Sequence, residues 1–180
     1  MAVVAAIDEQ LEAGLADVRA APAGAGTLEL IVRRPETDLR EVLEEGELDV
    51  EFGLVGDRWS RHGSRPNPGA QVTLIGVRAV TLVAGDDRES WLPAGDQLFV
   101  DLDLSSENLP PGTRLAVGSA VVEVSDLPHL GCSKFAARYG EEARAFVNSP
   151  RGVALNLRGI NARVVQGGTV RQGDAVHKLP

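Results

Sequence analysis

The residues best suited to chemistry lie in the stretch PHLGCSKFAARYG, residues 128–140. It holds the single cysteine of the chain, Cys132, with His129 three residues before it and Lys134 two residues after it. Gly131 makes the preceding backbone permissive, and a helix is predicted just after the cysteine, so the thiol would lie near a positive helix N-terminus. A charge on His129 or Lys134 would also favour the thiolate. These surroundings are typical of a reactive sulfur, which serves as a nucleophile or a soft metal ligand.

Three other interpretations of Cys132 stay open on the residues alone. A lone cysteine in a β-rich protein is usually a small core residue. The H-x-x-C pair with His129 could bind zinc, although a structural zinc site needs four protein ligands and the chain has no second cysteine. The same pair could serve a cysteine–histidine hydrolase, which needs the imidazole against the sulfur and a third group that orients it.

A second candidate site is the stretch GLVGDRWSRHGSRPNPG, residues 53–69, which has no apolar period and is predicted to be a long loop. Its charged and titratable members after GDRW are Arg58, Arg61, His62 and Arg65. Arginine forks match phosphate oxygens, so the loop could bind an anion, with Asp57 holding Arg58 in place. The alternative is an ordinary solvated loop.

The stretch DLDLSSENL groups several acids before a polar turn. A hard metal such as calcium or magnesium is conceivable, but the spacing does not match an EF-hand loop. Strand alternation instead favours Asp101 and Asp103 as residues on one solvent face. Asn108 differs from them, because an amide at a turn can reach a ligand or cap the backbone.

Composition narrows the class of protein. The 180 residues, 43% of them apolar, are sufficient for one domain with a sizeable core. A net charge of −8 speaks against a nucleic-acid partner. The N-terminus has no positive region before its short apolar run, and no apolar run approaches the ~20 residues of a membrane span. We therefore expect a cytoplasmic protein without a membrane partner.

Apolar spacing predicts several helices. An amphipathic helix covers Val3–Arg19, and a flexible break follows at Ala21–Gly26, which divides the chain into residues 1–26 and a domain of residues 27–180. A short helix is predicted within TDLREVLEEGELD, stopped at Gly46. The stretch VRAVTLVAG fits either a strand or a helix, of which the helix is favoured. Two helices broken near Gly140 are predicted for KFAARYGEEARAFVNSP.

Short strands separated by glycine turns dominate the rest of the chain. They are predicted in TLELIVRR, QVTLI, QLFVDLDL, RLAVGSAVVEVS and INARVVQGGTVRQGDAVHKLP. The fourth stretch holds two strands in a tight hairpin or bulge at Gly118, and the last holds two strands around Gly167-Gly168 and a final short strand after a turn at QGD. Twenty glycines and ten prolines agree with this count of turns. The predicted fold class is therefore mainly β, a closed or nearly closed barrel with a few short peripheral helices.

The order of these motifs resembles the MOSC domain, the family named for the C-terminal domain of molybdenum-cofactor sulfurases. The resemblance rests on GDRW, QVTLI, SSENLPPGTRLAVGSAVVEVSDLPHLGC and LRGINARVVQGGTVRQGD, and it spans residues 28–178. It implies a β-barrel-like fold. It also implies that Cys132 carries a persulfide or ligates molybdenum through its thiolate.

The resemblance further implies a pterin cofactor with an anionic phosphate end. Arg58 would be a candidate for that end, and the remaining cofactor-binding candidates are Asn108, His129, Lys134 and Arg158. The chain lacks the aminotransferase-like domain of the sulfurases and the iron–sulfur cysteines of some longer members. It is similar to the small stand-alone MOSC proteins, some of which are molybdenum-dependent oxidoreductases.

Two functions are therefore expected from the resemblance. The first is a reductase of N-hydroxylated compounds that holds molybdenum cofactor (molybdopterin) through Cys132 and takes electrons from a separate redox partner. The second is a non-catalytic carrier of the cofactor, or of a sulfane sulfur on Cys132, which works with a cofactor-biosynthesis protein.

Overall fold

A computed structural model describes residues 2–61 and 66–180 of the chain. The strands are β1 (Ala25–Arg33), β2 (Glu41–Leu43), β3 (Glu45–Asp49), β4 (Gly53–Leu54), β5 (Val72–Gly76), β6 (Leu98–Asp101), β7 (Arg114–Val117), β8 (Ala120–Val124), β9 (Ile160–Gln166), β10 (Gly168–Arg171) and β11 (Ala175–Lys178). The α-helices are α1 (Ala2–Arg19), α2 (Val77–Ala84), α3 (Ser133–Tyr139), α4 (Glu141–Val147) and α5 (Pro150–Ala154). Short 3₁₀ helices cover Arg58–Arg61, Pro68–Ala70 and Arg88–Ala94.

Seven strands close into a barrel in the order β1, β6, β5, β9, β8, β7 and β11, and β11 pairs back with β1. The pairs are antiparallel except for β5 with β6. Period-2 alternation fills the interior: in β8, Ala120, Val122 and Val124 are buried, whereas Val121 and Glu123 are partly exposed. The predicted mainly β, barrel-like fold class is confirmed.

A three-stranded sheet of β10, β3 and β4 adds to the barrel. Its buried residues Leu48, Leu54 and Val170 belong to the same apolar cluster as the barrel interior. The strand β2 extends the barrel sheet beside β1, where Val42 pairs with Val32. The residue that follows β1, Arg34, lies beside the 3₁₀ helix Arg58–Arg61, because the Arg58 N–H donates to the Arg34 carbonyl oxygen at 2.8 Å.

The helices pack together around a smaller apolar cluster outside the barrel. Leu15 of α1, Phe135 of α3, Val147 of α4 and Leu157 are buried against one another there. Burial of Phe135 fixes the first turn of α3, directly after Cys132. Among the described residues, no helix has both the length and the apolar character required to cross a bilayer.

The predicted N-terminal helix, the helix of residues 77–84 and the two helices that meet at Gly140 are confirmed. The hairpin of β7 and β8 is also confirmed, and its turn uses Gly118 at a φ of 54°, where an added Cβ would lie 2.5 Å from the Thr169 carbonyl oxygen. The division at residues 26 and 27 stays a prediction; β1 begins at Ala25.

The helix predicted within residues 37–49 is wrong. The segment forms β2 and β3, which pair with β1 and β10. Leu39 and Val42, which helical spacing would place on one apolar face, are about half exposed in the observed fold. Backbone pairing with two neighbouring strands overrides the local helical spacing. The long loop predicted for residues 53–69 is only partly a loop, since it contains β4 and two short 3₁₀ helices.

Candidate functional site

Cys132 is exposed at the start of α3, as the N-cap residue in an extended conformation. Partial burial raises the pKa of its thiol, but the backbone N–H groups of Phe135 and Lys134 and the charge of Arg158 lower it by more. The net result is a thiol pKa below its usual value. The Cys132 side chain does not form an N-cap hydrogen bond of regular geometry with these N–H groups. The sulfur therefore meets the two requirements of a soft ligand or nucleophile, access and thiolate character.

The charge beside the sulfur comes from a buried ion pair of Arg158 and Asp96. The Arg158 Nη1 atom donates to Asp96 Oδ2 at 2.6 Å, and its Nη2 donates to the Ala94 carbonyl oxygen at 3.0 Å. The guanidinium also lies over the ring of Phe135, 5.1 Å from the ring centroid. Asp96 is completely buried and Arg158 is 9% exposed, so the pair is firmly held next to α3.

His129 lies on the other side of Asp96. Its Nδ1 atom is 3.7 Å from Asp96 Oδ1, and neither atom has a hydrogen-bond partner in the described part of the chain. Burial lowers the pKa of His129 to about 4, and the positive charges of Arg158 and Arg34 add to this while Asp96 opposes it. His129 is therefore neutral near pH 7, and the cation that favours the Cys132 thiolate is Arg158 rather than His129.

We predict that replacing His129 with Gln makes stability less sensitive to acid. Because the folded-state pKa is about 4 and the ordinary value is 6.5, the unfolded state takes up a proton first as the pH falls. The stability that depends on neutral His129 is full above pH 6.5 and is lost between pH 6.5 and 4, by about 3 kcal/mol. Urea unfolding across this range measures the loss. His129→Gln should lose less than the parent, whereas His177→Gln, on the exposed strand β11, should lose as much; equal losses in both variants would contradict the assignment.

Three arginines converge on the short segment that precedes Asp96. Their guanidinium groups donate to successive backbone carbonyl oxygens: Arg138 to Pro93 at 2.9 Å, Arg158 to Ala94 at 3.0 Å and Arg34 to Gly95 at 2.8 Å. A Cβ built on Gly95 would lie 3.4 Å from Nη1 of Arg138 and 3.6 Å from Nη2 of Arg40. The segment thus gathers Arg34 and Arg40 of the β1–β2 connection, Arg138 of α3 and Arg158 of the turn before β9.

We name Arg34, Arg40, Arg58 and Arg138 the arginine cluster. Burial lowers the pKa of Arg40, and the charges of Arg138, Arg34 and Arg58 lower it further, so the four guanidinium groups lie close enough to repel one another. Among the described side chains, those of residues 9–61 and 66–180, Arg40 forms no ion pair and its buried Nε has no hydrogen-bond partner. Such a group of like charges with a free donor is suited to an anion, which guanidinium forks bind through pairs of oxygens.

Two aspartates offset the positive charge of the arginine cluster only in part. Asp57 is fully buried and binds Arg34 through both carboxylate oxygens, at 2.9 and 3.0 Å. Asp38 lies 3.4 Å from Arg138 but is 80% exposed, so water screens that pair. The expectation that Asp57 holds Arg58 is wrong, because its oxygens serve Arg34 and the Trp59 N–H instead.

The fold brings some of the sequence-predicted site residues together. Arg158 and His129 meet at Asp96 beside Cys132, and Lys134 lies exposed in the first turn of α3. Arg58 joins the arginine cluster, with its Nη1 on the Thr37 hydroxyl at 3.0 Å.

Asn108 is held elsewhere, since its side-chain amide donates to the carbonyl oxygens of Ala23 and Asp103. Its role toward a cofactor stays a prediction.

The remaining candidates contribute little to this site. Asp101 pairs with Arg78 at 2.8 Å, and Asp103 accepts from the Ser105 N–H at 2.9 Å, so both carboxylates serve local structure. His62 and Arg65 lie outside the described residues. Among the residues that are described, no group of three or more His, Cys, Asp or Glu side chains could hold a metal ion. The H-x-x-C pair thus has no set of zinc ligands around it in that part of the chain.

Sequence reasoning missed Asp96, Arg34, Arg40 and Arg138. Arg138 stood in the stretch already singled out, six residues after Cys132 on a predicted helix. The signal for Asp96 was weaker: a glycine before it and a strand after it predict a turn, but nothing local indicates its partner Arg158, which is 62 residues away.

Comparison with known proteins supports the family and the fold. The family model of the MOSC domain matches residues 83–177, just over half of the chain, including Cys132 and Arg158. A comparison with curated proteins gave no match.

Three solved structures illustrate the likeness in fold. The YuaD protein from Bacillus subtilis is 17% identical, with a TM-score of 0.59 over 86% of this chain and 95% of that chain. YiiM from Geobacillus stearothermophilus is 14% identical, with a TM-score of 0.62 over 86% and 75%. YiiM from Escherichia coli is 18% identical, with a TM-score of 0.58 over 86% and 70%. At these identities the structures support the fold alone, and the family model adds membership: this chain belongs to the MOSC domain family.

Proposed function

We propose that this MOSC-domain protein binds molybdenum cofactor through Cys132 and reduces N-hydroxylated compounds with electrons from a separate partner. The observation that carries the proposal is the pairing of two features around the segment Pro93–Asp96. One is an exposed sulfur with a lowered pKa, and the other is a group of arginines in excess of their acids.

The residues present fit the cofactor chemically. A pterin dithiolene with a phosphate tail needs a soft, deprotonated ligand for its metal and a cationic region for its anionic end. Cys132 would supply the first, and the arginine cluster, with Arg40 as its unpaired member, would supply the second. Bound cofactor would supply a metal that changes oxidation state. Arg158 and Asp96 would keep the thiolate available for it.

The reaction has a simple balance. Reduction of a hydroxylamine to an amine breaks the N–O bond, forms an N–H bond, consumes two electrons and two protons, and releases water. In the proposed reductase these electrons would come from a separate redox partner.

The alternative is a carrier that holds the cofactor, or a sulfane sulfur on Cys132, and transfers it. Exposure of the sulfur is the observation that favours this second function, because transfer requires that another protein reach it. A turnover assay distinguishes the two. Cofactor-loaded protein is mixed with a chemical electron donor and an N-hydroxylated substrate, and amine is counted per protein. Many turnovers support the reductase. At most one, together with transfer of molybdenum to a cofactor-free acceptor enzyme, supports the carrier.

We predict that Arg40→Gln weakens anion binding without weakening the fold. The substitution removes repulsion with Arg34, Arg58 and Arg138, so stability should stay within about 0.5 kcal/mol of the parent or rise. Phosphate should raise the thermal midpoint of the parent and raise that of the variant much less. Arg163→Gln, which alters an exposed pair with Glu123, is the matched control and should respond to phosphate as the parent does. If phosphate raised the thermal midpoint of all three proteins equally, the arginine cluster would not be the anion-binding part of the proposed site.

A further inference from the structure

A groove of about 360 Å³ opens beside His129, between residues 125–129 and helix α5. Its walls are tied in place by hydrogen bonds. Asn161 Nδ2 donates to the carbonyl oxygens of Leu127 and Pro128 at 3.1 and 3.3 Å. On the opposite side, Ser106 donates to the Ala154 carbonyl oxygen through its N–H at 3.0 Å and its hydroxyl at 3.1 Å. The groove is therefore formed before any ligand arrives and has the size of a small-molecule site.

The groove differs in chemistry from the arginine cluster. Its lining is mainly apolar, and Leu127 and Val153 contribute from opposite walls. Among the described residues that line it, none is Lys or Arg, and the titratable side chains are Asp126 and neutral His129. An anion would find no partner there and would face Asp126. The groove suits an apolar molecule that is neutral or cationic.

The groove is connected to the surroundings of the reactive sulfur through His129. His129 lines it, and three residues of chain span at most about 11 Å between Cα atoms, which bounds the separation of His129 from Cys132. The Nδ1 atom of His129 also lies 3.7 Å from Asp96, which binds Arg158, the cation beside Cys132. A small molecule in the groove with its polar end at His129 would therefore place that end next to the residues that surround the sulfur.

We propose that this groove binds the body of the N-hydroxylated substrate and selects apolar substrates, aromatic or alkyl, without negative charge. The proposal rests on the proposed reductase function for its substrate head group. It adds the binding site, the substrate class within N-hydroxylated compounds, and Val153 as a residue that determines specificity.

Two hydroxamic acids with the same head group test the groove without turnover. Benzohydroxamic acid has an apolar body, acetohydroxamic acid has only a methyl group, and both are neutral near pH 7. They are titrated by NMR into isotope-labelled, molybdenum-free protein. Benzohydroxamic acid should shift the amide signals of Leu127, Val153 and Asn161 and should bind at least about tenfold more tightly than acetohydroxamic acid. An anionic analogue, 4-carboxybenzohydroxamic acid, should bind as weakly as acetohydroxamic acid.

Val153 is 43% exposed, so substitutions there change the groove and not the core. Val153→Asp should weaken benzohydroxamic acid binding about tenfold, and Val153→Trp, which fills the groove, should do the same. Val50→Asp is the control, because Val50 is 56% exposed and lies away from the groove. In cofactor-loaded protein, Val153→Asp should raise KM for an apolar N-hydroxylated substrate with kcat and molybdenum content unchanged.

Shifts that map to other residues, or unchanged binding in both Val153 variants, would overturn the groove assignment. Tight binding of the anionic analogue would overturn its charge selection. These outcomes are separable from failure of the reductase proposal. If the groove binds benzohydroxamic acid but the protein never retains molybdenum, the groove assignment stands and the reductase proposal fails. If molybdenum-dependent turnover is unchanged in the Val153 variants, the reductase proposal stands and the groove assignment fails.

Discussion

Asp96→Asn is expected to destabilise the protein by about 3 to 5 kcal/mol, the usual result of leaving one charge of a buried pair uncompensated. Asp96 is fully buried and its Oδ2 accepts the 2.6 Å hydrogen bond from Arg158, which is itself 9% exposed. Asparagine keeps the shape but not the charge, so the Arg158 guanidinium stays buried without its counter-ion. For a chain of this length the thermal midpoint should fall by roughly 10 °C.

Asp101→Asn is the matched control for this loss. Asp101 also pairs with an arginine, Arg78, but the two side chains are 28% and 26% exposed, and a pair in such contact with water contributes less than about 1 kcal/mol. Unfolding in urea separates the two variants. Adding Arg158→Met to Asp96→Asn should recover part of the loss, because the buried charge is then gone. If Asp96→Asn and Asp101→Asn proved equally mild, the buried pair could not be what fixes Arg158 beside Cys132.

Cys132→Ala is expected to abolish cofactor-dependent activity, by at least about 100-fold, while leaving the fold intact. Losses of 10- to 100-fold follow from changes around a metal ligand, and removal of the ligand itself should exceed them. The side chain is exposed, so the thermal midpoint should move by no more than about 2 °C. Amine formation from an N-hydroxylated substrate and a thermal scan on the same preparations measure both effects.

Ser133→Ala provides the control for Cys132→Ala. Ser133 is the exposed neighbour of Cys132 at the start of α3 and should keep both activity and stability. A fall in the midpoint of Cys132→Ala by more than about 8 °C would mean that the thiol is structural. Activity retained by Cys132→Ala would remove the sulfur from the reaction.

Strand periodicity predicted most of the fold, and the failures have a common physical cause. In β8 and β9 the alternation of apolar and polar residues matches the barrel wall, so local pattern and tertiary pairing agree. In β2 and β3 they disagree. The segment has helical spacing and good helix formers, but β2 pairs with the edge of β1 and β3 pairs with β10. The partner of β3 is distant in sequence, since Glu45 and Arg171 are 126 residues apart.

The candidate site likewise has a part that the sequence predicted and a part that it did not. The cysteine and the helix that begins after it are local features, so a single stretch of sequence was sufficient to predict them. The charges around it are not local. Arg34 and Arg40 lie in the β1–β2 connection and Arg138 lies on α3, about 100 residues later, and the three meet around the segment Pro93–Gly95. The buried pair of Asp96 and Arg158 joins residues 62 apart, which no motif indicates.

Molybdenum content tests the central claim most directly. The parent protein and Cys132→Ala are purified in parallel from cells that make the cofactor, and metal is quantified against protein by elemental mass spectrometry, with Ser133→Ala as the control. We predict near-stoichiometric molybdenum in the parent and in Ser133→Ala and none in Cys132→Ala. Equal molybdenum in parent and Cys132→Ala, or none in any of the three, would contradict a cysteine-ligated cofactor in this protein.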